Sequence, residues 1–89
     1  MGTKKASFPL LFASIGQAYQ IERLIGDDKI MKHLHDIGFY NGAVIKVLSK
    51  MEGGLLVNLL NTKLAIDSNI CSKIYVSELE HKNVIEIEK

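Results

Sequence analysis

The sequence predicts a mainly β protein: a small barrel of about five strands with one α-helix inserted after the first strand. Several short apolar segments are separated by turns that contain glycine and asparagine, which is typical of small all-β domains. A single segment, at 27–38, has its apolar residues at helical spacing. Closure of the sheet into a barrel would remove exposed strand edges, which a chain of 89 residues has little other means to protect.

The composition supports one domain with a dense core. Hydrophobic residues make up 47% of the 89 residues, and a domain of this size needs that fraction to hold together. The 11 basic and 10 acidic residues give a net charge of +1. Nucleic-acid binding is therefore not expected, because such proteins usually carry a basic stripe.

We divide the chain into a flexible leader at 1–7, the domain at 8–79 and a C-terminal tail at 80–89. An apolar run at 8–13 is shorter than a typical signal-peptide core and far shorter than a membrane span. The only cysteine, Cys71, allows no internal disulfide and fits a reducing compartment. We therefore expect a cytoplasmic protein that is not embedded in a membrane.

Residues 8–14 are expected to form an apolar arm that packs on the domain without regular structure. A first strand is predicted at 18–25, where Tyr19, Ile21 and Arg23 alternate with their neighbours. The alternation is imperfect, which predicts an irregularity along one edge of this strand.

The helix is the clearest element of the sequence. Asp27 or Asp28 is suited to cap its first free amides and lies at the favourable end of the helix dipole. Gly38 stands where a helix needs a residue with positive φ in order to stop. One apolar stripe is expected to lie on the core, and it comprises Ile30, Met31, Leu34 and Ile37.

Four further strands are predicted, at 43–50, 55–60, 63–67 and 74–76. The turn before the first of them contains Gly42, which is a structural residue because it readily takes positive φ. The glycines at 53 and 54 form a hairpin connection, and Asn61-Thr62 forms the next one. Ser68 is predicted to cap a single helical turn before the last strand.

The order of these motifs resembles a known family. Residues 34–47 read LHDIGFYNGAVIKV, which is similar to the L-x-x-L-G-hydrophobic-x-x-G-x-x-I-x-V signature of the FeoA family. Downstream, LAID at 64–67, Cys71 and IYV at 74–76 resemble the ending of that signature, although the family usually has alanine where Cys71 stands. The resemblance covers roughly residues 8–79.

The resemblance implies an SH3-like barrel that accompanies FeoB, a bacterial ferrous iron transporter with a cytosolic GTPase domain. It implies a non-enzymatic accessory or regulatory protein that contacts the cytosolic part of FeoB. An alternative is a free-standing relative of the SH3-like domain of iron-dependent repressors, which would bind a repressor or a metal. Because the two share a fold, the sequence separates them poorly.

Candidate metal ligands are His33, Asp36 and Cys71, because imidazole, carboxylate and thiolate groups bind Fe²⁺ or Zn²⁺. His33 and Asp36 share a helix face, whereas His33 and His35 point to opposite sides. Two ligands make a weak site, and Cys71 stands among apolar residues where buried packing is expected. We expect no firm cofactor and at most weak binding of Fe²⁺ or Zn²⁺.

No catalytic motif accompanies these residues, so an enzyme is not expected. The paired glycines at 53 and 54 lack the lysine and the serine or threonine of a phosphate-binding loop. The candidate partner-binding residues are Met51, Leu55 and Leu56, which lie at and beside the hairpin connection. The exposed side of the helix is a second part of that predicted surface, and the oligomeric state is left open.

Overall fold

A computed structural model describes residues 6–79 and arranges their strands in one antiparallel sheet. Strand order across the sheet is β1-β6-β2-β3-β4-β5. The elements along the chain are β1 (Phe8–Pro9), a 3-10 turn (Leu10–Phe12), β2 (Ala18–Leu24), α1 (Asp28–Ile37), β3 (Val44–Met51), β4 (Gly54–Leu59), β5 (Thr62–Asp67), α2 (Ser68–Cys71) and β6 (Ile74–Glu78). The predicted mainly β fold with one main helix is confirmed, although the helix follows the second strand and not the first, because β1 precedes β2.

The predicted leader, apart from its last two residues, and the whole predicted tail lie outside the described residues. The prediction of an irregular arm at 8–14 is wrong, because Phe8 and Pro9 pair with Val76 and Tyr75 of β6. This pairing makes β1 a sixth strand. Proline is tolerated there because β1 lies at the edge of the sheet, where its missing N–H costs no ladder hydrogen bond.

Strand β2 contains the predicted irregularity. Tyr19 and Ile21 are buried, and a bulge then shifts the register with β6 between Ile21 and Arg23. Because a bulge inserts one extra residue, the alternation changes sides at this point. Arg23 is exposed as a result, and its guanidinium carbon lies 4.4 Å from the centre of the Tyr75 ring.

Helix α1 begins and ends through local hydrogen bonds. The Asp27 carboxylate accepts a hydrogen bond from the Ile30 backbone N–H at 2.9 Å. At the other end Gly38 has φ +122° and donates its N–H to the carbonyl of Leu34. This conformation is one that residues with a Cβ rarely adopt.

The apolar stripe of α1 is less deeply buried than predicted. Leu34 is fully buried, whereas Ile30 and Met31 are only partly buried. Ile37 is 40% exposed, so its assignment to the core is wrong. The reason is its place at the last position of the helix, where it borders an open groove next to β5 instead of packing against a strand.

Two tight hairpins connect the central strands. Met51 pairs with Gly54 across the first turn, and Gly53 within that turn has φ +82°. In the second turn the connecting residues are Leu60 and Asn61, with φ of +54° and +65°, and not the predicted Asn61-Thr62 pair. A two-residue turn with both residues at positive φ matches the right-handed twist of the strands.

The short helix α2 has a different cap from the predicted one. The carboxylate of Asp67 accepts a hydrogen bond from the backbone N–H of Ile70 at 2.8 Å, and Ser68 is the first helical residue. The helix carries Cys71 into the core. That core lies between the inward side of the sheet, the 3-10 turn and the two helices, and its largest fully buried side chains include Leu10, Ile21, Leu34, Phe39, Ile45, Leu55, Leu59 and Ile74.

Candidate functional site

The outward side of strands β2 to β5 carries a row of aligned side chains. Ala18 pairs with Lys46, Lys46 with Asn58, and Asn58 with Lys63. Their neighbours along the strands, such as Ile45 and Val57, point into the core and are fully buried. Because side chains alternate along a strand, the aligned row must lie on the opposite side of the sheet.

A cavity of about 290 Å³ opens on this outward side. We call it the outer-face cavity, and it is lined by Ala18, Val44, Lys46, Asn58, Leu60 and Asn61. Val44 is 46% exposed and Leu60 is 62% exposed, so the cavity has two apolar walls open to solvent. The side-chain oxygen Oδ1 of Asn58 is buried and has no hydrogen-bond partner within residues 6–79.

A second cavity, of about 210 Å³, lies between α1 and β5. Its lining is mostly apolar and comprises Ile37, Phe39, Leu64, Ala65, Ile66 and Ile70, with His33 and Asp67 as its titratable members. The Asp67 carboxylate already caps α2. Strand β5 is an edge of the described sheet, so this groove follows a sheet edge.

The predicted partner-binding residues at the first hairpin do not share one surface. Met51 is 40% exposed and lines a shallow cavity of about 340 Å³ beside that turn. Leu55 is only 2% exposed, which corrects its assignment to an interface: it packs in the core, and Leu56 is half-buried. Adjacent residues of a strand face opposite sides, so Leu55 and Leu56 could not both have been presented outward.

The candidate metal ligands are also separated. His33 and Asp36 are exposed on α1, where the Lys32 ammonium lies 3.6 Å from the Asp36 carboxylate. Cys71 is fully buried on α2. Across residues 6–79, no three or more side chains of the His, Cys, Asp and Glu types come together in a geometry that could hold a metal ion.

The Cys71 thiol is in an environment that keeps it protonated. Burial raises its pKa to about 11, and the negative charge of Asp67 acts in the same direction. The sulfur atom Sγ donates a hydrogen bond to the carbonyl oxygen of Ile66 at 3.6 Å. Because the thiolate is the form that binds metals and attacks electrophiles, Cys71 is a packing residue at neutral pH.

We predict that one chain has no tight metal site. Titration calorimetry of the monomer with Fe²⁺ under anaerobic conditions, or with Zn²⁺, should give micromolar affinity at best, because a stable site needs three or four ligands. His33→Ala should leave the weak signal nearly unchanged. A nanomolar site that disappears in His33→Ala would contradict this prediction.

The sequence interpretation missed the outer-face cavity. One signal was available: Asn58 is the single polar residue within the apolar run at 55–60. That residue marks the outward side of β4. The position of Leu60 in a turn with positive φ could not be read in the same way, because leucine is rare there.

These features define a class of protein. The described chain is a small SH3-like barrel whose outward surfaces combine open apolar walls with a few polar groups. Among residues 6–79, the helices lack the length and hydrophobicity of a membrane span.

Comparison with known families gives a match to the FeoA domain over residues 8–78. This match covers most of the sequence, and the chain belongs to the FeoA domain family. The predicted resemblance is therefore confirmed. Comparison with curated protein sequences gave no match.

Solved structures with the same fold fall into two groups. One such structure is the crystal structure of an iron uptake regulatory protein (FeoA), whose sequence is 23% identical to this chain. The two structures superpose with a TM-score of 0.76, and the match covers 83% of this chain and 99% of the other. A FeoA-like protein from Clostridium acetobutylicum is 20% identical, with a TM-score of 0.76 over 89% and 94%. A manganese-dependent transcriptional repressor is 18% identical, with a TM-score of 0.78 over 86% of this chain but 44% of the repressor.

Proposed function

We propose that this chain is a non-enzymatic accessory protein of bacterial ferrous iron uptake that acts by contacting the cytosolic part of FeoB. The observation that carries the proposal is the FeoA domain match over residues 8–78. The FeoA family is a family of small accessory proteins, and its SH3-like fold is the fold of this chain. Contact with the cytosolic part of a transporter requires a cytoplasmic location, which is part of the proposal.

The chemistry of the described residues supports action through a binding surface. The one cysteine is buried and protonated at neutral pH, and the exposed His33 and Asp36 have no third ligand beside them within residues 6–79. Apolar groups, by contrast, are open to solvent at Met51 and along the outer-face cavity. Exposed apolar groups rimmed by polar ones are typical of protein contacts.

We predict that deletion of this chain lowers ferrous iron uptake. Uptake of labelled Fe²⁺ should be measured in cells under anaerobic iron limitation, with and without the chain and with FeoB present in both. A parallel binding assay should detect the purified chain on the immobilised cytosolic part of FeoB, at micromolar affinity, because a regulatory contact of modest area is weak. Unchanged uptake after deletion, with no binding in the second assay, would contradict the proposal.

The first hairpin provides a variant for the same assay. Met51→Glu tests the surface that the sequence predicted at this hairpin. Leu55 is left unchanged because it is buried, and a charge there would unfold the domain. The variant should stay folded, since Met51 is 40% exposed. It therefore serves as a comparison for the surface considered below.

An alternative function has support from one observation. The TM-score of 0.78 with a manganese-dependent transcriptional repressor relates this fold to metal-dependent repressors as well. The alternative is that the chain binds a repressor of that class or a metal. Capture of a purified metal-dependent repressor from the same cell, together with unchanged ferrous uptake after deletion, would favour it over the transporter contact.

A further inference from the structure

We infer that the outer-face cavity docks an acidic segment of the protein partner, with one large apolar side chain of that segment seated between Val44 and Leu60. The inference rests on the proposed function, since the partner is taken to be the cytosolic part of FeoB. It assigns the contact to a defined place, which we call the outer-face site: Val44, Lys46, Asn58, Leu60 and Lys63.

The apolar part of the site is built around Leu60. Its φ of +54° suits asparagine or glycine, the usual residues of a two-residue hairpin turn, better than leucine. At 62% exposure the side chain gains little from burial in the barrel. Its methyl carbon Cδ1 lies beside Gly38 at the end of α1. A Cβ added to Gly38 would be 3.4 Å from this methyl carbon. The turn does not explain a leucine here, and the contact near Gly38 uses only a small part of the side chain, so most of its apolar surface is left for a docked group.

The polar part of the site is Asn58. Its Oδ1 atom is buried without a donor, whereas the buried hydroxyl of Ser77 donates to the Glu22 carboxylate. A buried acceptor without a partner is uncommon in proteins and needs an explanation. The oxygen belongs to a residue that lines the cavity. Rotation of the Asn58 side chain toward the cavity would expose this oxygen, and a backbone N–H of a docked segment would then satisfy it.

The charge of the site is positive. Lys46 and Lys63 pair with Asn58 from the two neighbouring strands, so a lysine lies on each side of Asn58 on the outward side of the sheet. The ion pair between Lys32 and Asp36 lies on α1, away from this site, and no acidic residue lines the cavity. The chain as a whole carries a net charge of only +1, so this positive row is local. Charge complementarity therefore selects an acidic partner segment.

The same residues argue against a nucleic acid as the occupant. Proteins that bind single-stranded nucleic acids usually offer aromatic side chains on which bases stack. None of the residues lining the outer-face cavity is aromatic. Two lysines beside two aliphatic walls fit a peptide with acidic and apolar side chains.

The charge arm of the experiment compares two double variants in a binding assay with the purified cytosolic part of FeoB. Lys46→Glu with Lys63→Glu should weaken binding by about tenfold or more, since both charges would then repel an acidic segment. Lys29→Glu with Lys73→Glu makes the same change of net charge at positions outside the site and should bind like the parent. Higher salt should weaken binding of the parent. Equal weakening by both double variants would reject a local site.

The apolar arm uses a variant that should not lose stability. Leu60→Asn places a residue that tolerates positive φ in the turn, so its melting temperature should equal or exceed that of the parent. Its affinity for the cytosolic part of FeoB should nevertheless fall by about tenfold, because the apolar wall is gone. Met51→Glu at the first hairpin should leave the affinity unchanged.

Four further results would overturn the inference. Parent-like binding by Leu60→Asn and by the Lys46 and Lys63 double variant rejects the site while leaving the proposed function intact. If Met51→Glu loses binding while the variants of the outer-face site keep it, the contact lies at the first hairpin. Self-association of the parent in light scattering, abolished by Leu60→Asn, makes a second copy of the chain the occupant. If the parent does not bind FeoB at all, the proposed function fails and the inference fails with it.

Discussion

Replacing Leu34 by aspartate should leave the domain largely unfolded at room temperature. Leu34 is fully buried beneath α1, so the substitution removes an apolar side chain and places a carboxylate where it has no partner. We expect a loss of about 5 kcal/mol or more, which is as large as the total stability of about 5 kcal/mol at the low end of the usual range, where small domains lie. Far-ultraviolet circular dichroism and a thermal melt would measure it.

Ile37→Asp is the matched control for this prediction. It makes the same chemical change one turn further along α1, at a position that is 40% exposed. The new charge stays hydrated there and meets only the unfavourable end of the helix dipole, so the cost should be about 1 kcal/mol. A Leu34→Asp protein that melts close to the parent, while Ile37→Asp unfolds, would show that α1 faces the core with its other side.

The contrast between these two residues shows which parts of the helix the sequence could predict. Its two ends follow from local chemistry, because Asp27 caps the first turn and Gly38 supplies a positive φ at the last. Both features are visible in a window of a few residues. The exposure of Ile37 cannot be read from such a window, because it depends on how far β5 reaches beneath the end of the helix.

The same limit applies to the strands. Local alternation of side chains predicted the central strands to within one or two residues, and it also indicated the bulge in β2. Strand β1 was missed because its pairing joins Phe8 to Val76, at opposite ends of the described chain. A two-residue strand has too few residues for its own pattern to reveal such a long-range partner.

The candidate site was harder to predict than the fold. Leu55 and Leu56 are equally apolar, and the sequence does not say which of them points inward. The structure decides it through the register with β3, which shifts at a bulge between Val47 and Ser49. A change of one residue in register exchanges the two faces of a strand. The outer-face cavity therefore becomes visible only when strands β2, β3 and β4 and the turn after β4 are brought together.

Replacing Gly54 by alanine should cost about 3 kcal/mol, through a collision between backbones. A Cβ on Gly54 would stand well inside van der Waals distance of the Ile66 carbonyl oxygen and 2.9 Å from the Cα of Asp67. Both obstacles belong to the backbone of β5, so neither can rotate away. Strands β4 and β5 must separate at this end, and overpacking of this kind typically costs 1–3 kcal/mol and occasionally more. Urea denaturation would measure the loss.

The collision can also be detected through the reactivity of the Cys71 thiol. The Ile66 carbonyl that a Cβ on Gly54 would displace is the one that accepts a hydrogen bond from this thiol. Gly54→Ala should therefore expose Cys71 and raise its rate of reaction with a disulfide reagent at neutral pH. Gly53→Ala is the control: a Cβ there meets nothing within 4 Å, and the strain of φ +82° should cost about 1 kcal/mol with no change in thiol reactivity. If Gly54→Ala proved no more destabilising than Gly53→Ala, and its thiol stayed equally protected, the close approach of β5 to Gly54 would be wrong.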